Sequence, residues 1–326
     1  MDLIESYSEE LQLIRKGWTK AWVWGLTAML FLSPLYLSDG YIYIATLVFI
    51  FTIGTLGQNL LIGFTGQISF GQAGFLAIGA YSFSHLNNFG VPAPLALMAA
   101  GVICGLFGLL VGFPSLRLKG PYLAIVTLGF GVAVYQILAN SPLLSGGRMG
   151  VVIRRLEGFS ILSTEQVYFY LTFVIALGFV LLTYNIVSSY MGRAFIAIRD
   201  NDIAAEVLGV SLSRYKLLSF AISSFYVGVQ GGLLALLLGY LEPNMFTFLV
   251  TIDFLVAVVV GGLSRVEGSI LGAAFVVIVP QAFSHLSGVT PLIYGIAIIL
   301  VLIFEPLGLA GVWLRIRLYF RNWPYR

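Results

Sequence analysis

Apolar residues run through this chain in long continuous stretches, and the polar interruptions between them are short. Stretches of this kind cover about 21–37, 41–62, 68–87, 93–113, 121–139, 166–188, 217–238, 248–262, 268–285 and 291–306. Most approach or exceed the roughly 20 apolar residues that a helix needs to cross the hydrocarbon core of a bilayer. They do not alternate with a period of two, as the strands of a membrane barrel do. Inside lipid every backbone N–H and C=O has to be satisfied within the protein, so such a run forms a helix. The pattern therefore predicts an all-α fold, a polytopic membrane helical bundle of about ten transmembrane helices. Two of the ten are irregular. The stretch 68–87 opens on the polar, glycine-rich Gly66-Gln67-Ile68-Ser69-Phe70-Gly71-Gln72-Ala73-Gly74, and 248–262 is short and contains Asp253. Ahead of the first stretch, Leu3, Tyr7, Leu11, Ile14 and Trp18 recur at spacings of three and four. That stripe predicts an amphipathic helix over 3–17 lying on the membrane surface. Three regions follow: an interfacial segment 1–20, a membrane domain 21–306 and a basic tail 307–326.

Composition agrees with this solvent. Of 326 residues, 59% are hydrophobic and 10% charged, against about a quarter charged in a soluble domain. The net charge of +3 is too small to suggest nucleic acid, and the basic residues serve better as topology markers. With the N-terminus inside, only Arg148, Arg154 and Arg155 of the 17 lysines and arginines fall on the outer side. The others, including Arg15, Lys16, Arg117, Lys119, Arg199, Lys216, Arg265 and Arg315, fall inside, as the positive-inside rule requires. Dropping either irregular span would invert every later loop and spoil that bias. The first residues are acidic (Asp2, Glu5, Glu9, Glu10) rather than a signal-peptide start. A single cysteine, Cys104, lies within a span, so a disulfide within the chain is impossible. His85 and His285 fall at span edges and read as interfacial. Phe83-Ser84-His85-Leu86 and Phe283-Ser284-His285-Leu286 echo one another, which raises a parallel internal repeat of the kind transporters use.

Two loops are long enough to do more than connect: an outer one, about 140–165, and an inner one, about 189–216. The chain has no G-x-x-x-x-G-K-[ST] phosphate loop. Asp253 is the only charged residue well inside a span, with Glu305 at the end of the last. One deep carboxylate is thin for an ion-coupled pump, which works by moving charge across the membrane. Uphill transport would then draw on a partner. The polar groups within the spans are few: Gln58, Asn59, Gln67, Ser69, Gln72, Thr127, Gln136 and Asp253. Unpaired polar groups are costly in lipid, so these are expected to face the interior and line any pathway. On the inner loop, Arg193, Arg199, Asp200, Asp202, Ala204, Ala205, Glu206 and Gly209 form a candidate docking surface. There Asp200 and Asp202 are expected to cap a helix that Gly209 ends.

That inner segment resembles the coupling loop of ABC importer permeases, whose hallmark is E-A-A-x-x-x-G. Ala204, Ala205 and Gly209 match the spacing, and Ile203 stands where the Glu would be. Together with Gly57-Gln58-Asn59-Leu60-Leu61, Gly66 through Phe75, Arg117-Leu118-Lys119-Gly120-Pro121-Tyr122, Thr127-Leu128-Gly129-Phe130 and Gly261-Gly262-Leu263, the chain resembles the LivM-type permeases. These serve branched-chain and hydrophobic amino-acid ABC importers. Three departures stand out: Val132 replaces an expected Glu, Tyr135 an expected Arg, and Leu263-Ser264-Arg265-Val266-Glu267-Gly268 the usual G-T-L-W-G turn. The resemblance implies a non-enzymatic transport subunit of a bacterial-type inner membrane, with both termini cytoplasmic. It implies a second, LivH-like permease, two ATP-binding subunits holding ATP and Mg, and an external substrate-binding protein. A permease for urea or short amides, and a self-contained secondary transporter or channel, are the competing expectations. A membrane-embedded enzyme acting on lipid lacks paired carboxylates, a nucleophile with its base, or metal ligands in any span.

Overall fold

A computed structural model describes residues 25, 27, 29–118, 120–155, 163–284, 288–305, 307–312 and 315. The expected interfacial helix over 3–17, His285 and most of the basic tail lie outside the described residues. Within them the chain is helical almost throughout, and each apolar stretch falls on a helix. The ten stretches begin with 29–32, which runs into a short turn, Ser33–Leu35. Then come α1 (Asp39–Asn59), α2 (Gln72–Asn88), α3 (Ala93–Ser115), α4 (Pro121–Asn140) and α5 (Thr164–Ser188). Two short helices, α6 (Tyr190–Asp200) and α7 (Asp202–Val207), make up the inner loop. The chain continues through α8 (Leu212–Leu238), α9 (Phe248–Gly261), α10 (Val266–Ala282) and α11 (Thr290–Phe304). The all-α expectation needs one small amendment. Strands β1 (Val151–Val152) and β2 (Tyr240–Leu241) pair antiparallel, Val151 opposite Leu241.

Among the described residues, five helical segments are long and apolar enough to cross a membrane, by length and composition: Asp39–Phe64, Ala93–Pro114, Pro121–Asn140, Thr164–Ser188 and Leu212–Leu238. Helices α9, α10 and α11 are apolar but shorter. The count of ten crossings therefore stands as an expectation and not as an observation.

Small residues decide which helices sit at the centre. In lipid there is no hydrophobic drive between helices, so close approach of backbones and good packing hold a bundle together. Helix α3 carries glycines at 101, 105, 108 and 112, one face of a helix. Helix α8 packs Phe220, Ala221, Ser224 and Phe225 onto that face. On its other side α8 meets α2 through Gly228 against Gly79, where a Cβ on Gly79 would lie 2.6 Å from the Gly228 Cα. Helices α1 and α8 each have 72% of their apolar window buried, whereas α4 has 22%. The order is thus a core of α1, α2 and α8, flanked by α3, α5, α9 and α10, with α4 and α11 outermost. In α11 no residue is buried.

The loops gather at two opposite ends. At one, β1 pairs with β2, and the Asn87 and Asn88 side chains donate to the carbonyls of Arg154 (3.0 Å) and Val152 (3.1 Å). His85 meets the Leu144 carbonyl there at 2.6 Å. At the other end, the inner loop contacts the α1 terminus and the α9–α10 turn. Every such link joins loops whose charge assigned them to the same side. The tetrapeptide echo fares less well. Phe83–Leu86 lies within α2, while Phe283 and Ser284 follow the end of α10. His285 and Leu286 lie outside the described residues.

Candidate functional site

Helix α1 does not run straight into α2. Its last turn, Leu60–Phe64, is π-helical, a local widening that in many proteins marks a functional position. Gly66 then turns the chain with a φ of +73°, a conformation that glycine adopts without strain. From there to Gly71 the backbone is unwound. Ser69 and Gln67 are nonetheless buried, so each freed backbone group needs a partner inside the protein.

Those partners are uncharged side chains from four neighbouring helices. Gln58 of α1 donates from Nε2 to the Ser69 carbonyl at 3.1 Å. The Phe70 N–H donates to Thr127 Oγ1 of α4 at 2.9 Å, and the Ala73 N–H to Thr251 Oγ1 of α9 at 3.2 Å. Gln72 donates to Gln58 Oε1 and, at 3.4 Å, to Ser223 Oγ of α8. Gln67 donates to Ser219 Oγ of α8 at 2.6 Å. Two acceptors are left over, because Gln67 Oε1 and Gln72 Oε1 are buried with no partner among the described residues. Leaving a buried polar atom unpaired costs about 1–3 kcal/mol. The cluster carries no formal charge, so it suits a solute without net charge.

A cavity of about 180 Å³ adjoins the start of α2, between α4 and α9. Its walls are Phe70, Ala73, Leu128, Gly131, Val132, Tyr135, Phe246, Thr247, Phe248 and Thr251. Val132 and Tyr135, where the resemblance led us to expect charge, both lie on this wall. Tyr135 donates its hydroxyl to Asn244 at 3.0 Å.

The structure thus brings Gln58, Gln67, Ser69, Gln72 and Thr127 together, and separates the other three. Asn59 points to the inner end, donating to the Arg265 carbonyl (2.8 Å) and Ser269 Oγ (2.9 Å) while accepting from the Ser264 N–H. Gln136 does not face the interior. It is exposed on α4, on the face away from the one that carries Thr127 to the unwound segment. Asp253 sits on the opposite side of α9 from Thr251 and accepts a 3.2 Å hydrogen bond from Tyr294 of α11. Sequence reasoning missed Ser219, Ser223, Thr251 and Ser264. It also missed Gln230 of α8, whose fully buried amide has no partner at either atom among the described residues.

Asp253 therefore looks to helix packing. Changing Tyr294 to Phe is expected to lower thermal stability by about 1 kcal/mol, the worth of one such bond. Asp253→Asn, which keeps an acceptor, is expected to be milder in the same melting measurement. An Asn variant with stability intact but transport lost would place the carboxylate on the pathway instead.

The inner loop builds the second surface. Asn201, and not Asp200 or Asp202, caps α7, its side chain accepting from the Ala204 N–H at 3.0 Å. Asn201 is the residue with the extended backbone an N-cap needs. Asp200 is instead the last residue of α6, and Asp202 the first of α7. Asp202 forms an ion pair with Lys216 at 3.6 Å. Gly209, at φ +85°, ends α7 as expected, with the Val210 N–H returning to the Ala205 carbonyl. Ala205 is buried, whereas Ala204, Glu206 and Gly209 are exposed. Ile203, Val207 and Leu208 are 70%, 83% and 81% exposed. Arg193 stays local, its guanidinium over the Tyr190 ring and donating to the Ser188 carbonyl.

Arg199 reaches further. Its guanidinium holds Asp200 and donates to the Gly63 carbonyl and to Ser264 Oγ. Ser264 has a φ of +59°, the one non-glycine residue with positive φ among the described residues. A conformation of that kind costs of order 1–3 kcal/mol and persists where surrounding bonds enforce it. Here Asn59 and Gly63 supply those bonds. One residue thus ties α6, the end of α1 and the α9–α10 turn.

Comparison with known proteins bears on both surfaces. The family described as branched-chain amino acid transport system / permease component matches residues 40–304. Over 315 residues the chain is 34% identical to the high-affinity branched-chain amino acid transport system permease protein LivM of Escherichia coli (strain K12), covering 87% of this chain and 74% of that protein. The LivM protein of Salmonella typhimurium is 33% identical over 304 residues, covering 85% and 71%. The probable LivH permease of Methanocaldococcus jannaschii is 26% identical over 276 residues, covering 79% and 87%. No solved structure matches the chain.

Proposed function

The chain belongs to the family of branched-chain amino acid transport system permease components, and on that premise we propose that it carries branched-chain and other neutral, hydrophobic amino acids through the membrane as one subunit of an ATP-driven importer. The observation that carries this reading is the reach of the family match, 40–304, which takes in the unwound segment and the α6–α7 surface alike. The relatives described above are branched-chain amino acid permeases, and nothing in them favours urea or short amides.

The proposed machine pairs this chain with a second, LivH-like permease, since permeases of both kinds are among its relatives. Two ATP-binding subunits, holding ATP and Mg, would dock on α7. The exposed apolar side chains of Ile203, Val207 and Leu208 support this, because an apolar patch on an otherwise polar loop is what a partner covers. An external binding protein would deliver the amino acid at the opposite end. Ten crossings with both termini cytoplasmic, in a bacterial-type inner membrane, is supported by the two-sided grouping of loop contacts. In this reading the unwound segment is a broken helix of the sort transporters place at their binding sites. Gln58, Ser69, Gln72 and Thr127 then line the pathway, and Gln72 Oε1 waits for a donor that the solute supplies. Closure of the ATP-binding subunits moves α6–α7, and Arg199 passes that motion to the break by rigid-body rocking.

Reconstitution tests the reading. Proteoliposomes holding both permeases, both ATP-binding subunits and the binding protein are expected to accumulate labelled leucine only when ATP is supplied. Uptake by this chain alone, driven by an ion gradient, would overturn it.

A further inference from the structure

We propose that the cavity between α4, α9 and the start of α2 is the pocket that takes the aliphatic side chain of the solute as it passes, and that Gly131 sets the length it admits. This rests on the transport reading above. The first support is size. A cavity of about 150 Å³ lined by apolar side chains holds a benzene molecule, so about 180 Å³ accommodates a branched aliphatic side chain. The second is chemistry. Phe70, Leu128, Val132, Phe246 and Phe248 make most of the wall. Of the three polar side chains there, Thr251 already accepts from the Ala73 N–H and Tyr135 already donates to Asn244, with Thr247 the third. A charged or hydrogen-bonding side chain would find few free partners, and transfer of such a group from water would go uncompensated. The third is position. Phe70 and Ala73 belong both to this wall and to the polar cluster, through Thr127 and Thr251. A solute can therefore present its apolar end to the cavity and its polar end to the unwound backbone at once.

Gly131 is the adjustable part of the wall. A Cβ built there would have Phe70 O at 3.7 Å, the Gly71 Cα at 3.8 Å and the Gly74 N at 3.9 Å, all ordinary contacts. A methyl group is thus tolerated by the fold, favours the helix, and subtracts from the space.

The test measures ATP-dependent uptake of valine and of leucine by the complete reconstituted importer. Each variant is expressed as a fraction of wild type for the same amino acid, which cancels the selectivity of the binding protein. One methylene in an apolar pocket is worth about tenfold or more in discrimination. Gly131→Ala is expected to lower leucine uptake about tenfold more than valine uptake, and Gly131→Leu to abolish both. Val132→Ala, which removes two methyl groups from an exposed stretch of the same wall, is expected to restore leucine uptake in the Gly131→Ala background. Equal losses for the two amino acids, undiminished uptake in Gly131→Leu, or no rescue by Val132→Ala would each overturn the pocket while leaving the transport reading intact. Wild-type complex that accumulates neither amino acid with ATP would overturn the reading, and this inference with it.

Discussion

Replacing Gly79 by leucine is expected to leave almost no folded protein in the membrane. Gly79 of α2 faces Gly228 of α8, and a Cβ on Gly79 would lie 2.6 Å from the Gly228 Cα and 2.8 Å from its carbonyl carbon. Gly228 in turn packs against α3, where a Cβ would stand 2.5 Å from that of Cys104 and 3.0 Å from the Ala100 carbonyl oxygen. Gly228 therefore lets both α2 and α3 approach α8 at a position with no side chain. Overpacking costs about 1–3 kcal/mol when neighbouring side chains can give way. Here the obstruction is backbone, so α2 and α8 have to part along the seam that also buries Gly231, Leu76 and Ala80. Folded proteins are stable by only about 5–15 kcal/mol, and this seam is the centre of the bundle. Fluorescence-detected gel filtration of detergent extracts reads the outcome, as loss of the monodisperse peak. Gly178→Leu on α5 is the control, because nothing lies within 4 Å of a Cβ there, and it is expected to match wild type. A monodisperse, thermally normal Gly79→Leu protein would contradict the packing described.

How much of this was legible in the sequence depends on the kind of residue. The apolar runs announced the helices because a bilayer imposes one solution on a long apolar segment. Gly66 to Gly74 marked an irregular span, because glycine and glutamine together are poorly suited to an unbroken helix facing lipid, and the structure unwinds the chain there. Gln67 and Gln72 were found for the same reason: a large amide in hydrocarbon demands a partner. Thr251, Ser219 and Ser223 were not, because hydroxyls in a helix usually bond to their own preceding turn. Thr46, Thr52 and Thr55 do just that, each with the carbonyl four residues back. Nothing local distinguishes those from the hydroxyls that reach another helix. Gln136 misled because residue type cannot say which face of a peripheral helix it occupies. Asp253 stands apart from that cluster because one turn of α9 carries both Thr251, bonded to Ala73, and Asp253, bonded to Tyr294. The cap of α7 was misplaced by one residue, since aspartate and asparagine cap equally well and only the backbone conformation separates Asn201 from its neighbours.

Arg199 shows why a position readable from sequence still needed its contacts to become a mechanism. Its place on the inner loop suggested a charged docking group, but the structure turns its guanidinium inward, to the Gly63 carbonyl and Ser264 Oγ. The turn at Gly66 packs directly beneath it, with room for a Cβ only 3.0 Å from the Arg199 Cγ. A displacement of α6 is therefore expected to reach the turn that opens the unwound segment and the α9–α10 turn. Hydrogen bonds to a charged group are worth about 1.5–3 kcal/mol each. Losing them is expected to lower coupled, ATP-dependent uptake by about ten- to a hundredfold in Arg199→Ala. The ion pair to Asp200 contributes little to this, because Asp200 is 61% exposed and such surface pairs are worth less than about 1 kcal/mol. The melting temperature is expected to fall somewhat, because the same bonds hold the fold, while uptake per folded complex still drops and ATP hydrolysis by the assembled complex continues without matching transport. Arg199→Lys retains the charge without the planar fork that spans two acceptors, and is expected to fall between. Arg193→Ala, on the same helix but reaching only Ser188 and Tyr190, is expected to transport within about twofold of wild type, a surface change with little energetic weight. Hydrolysis and uptake measured together on one preparation separate the possibilities. If uptake by Arg199→Ala stays normal, or if uptake falls only in proportion to the folded protein recovered, the residue is not the link between the docking helices and the break.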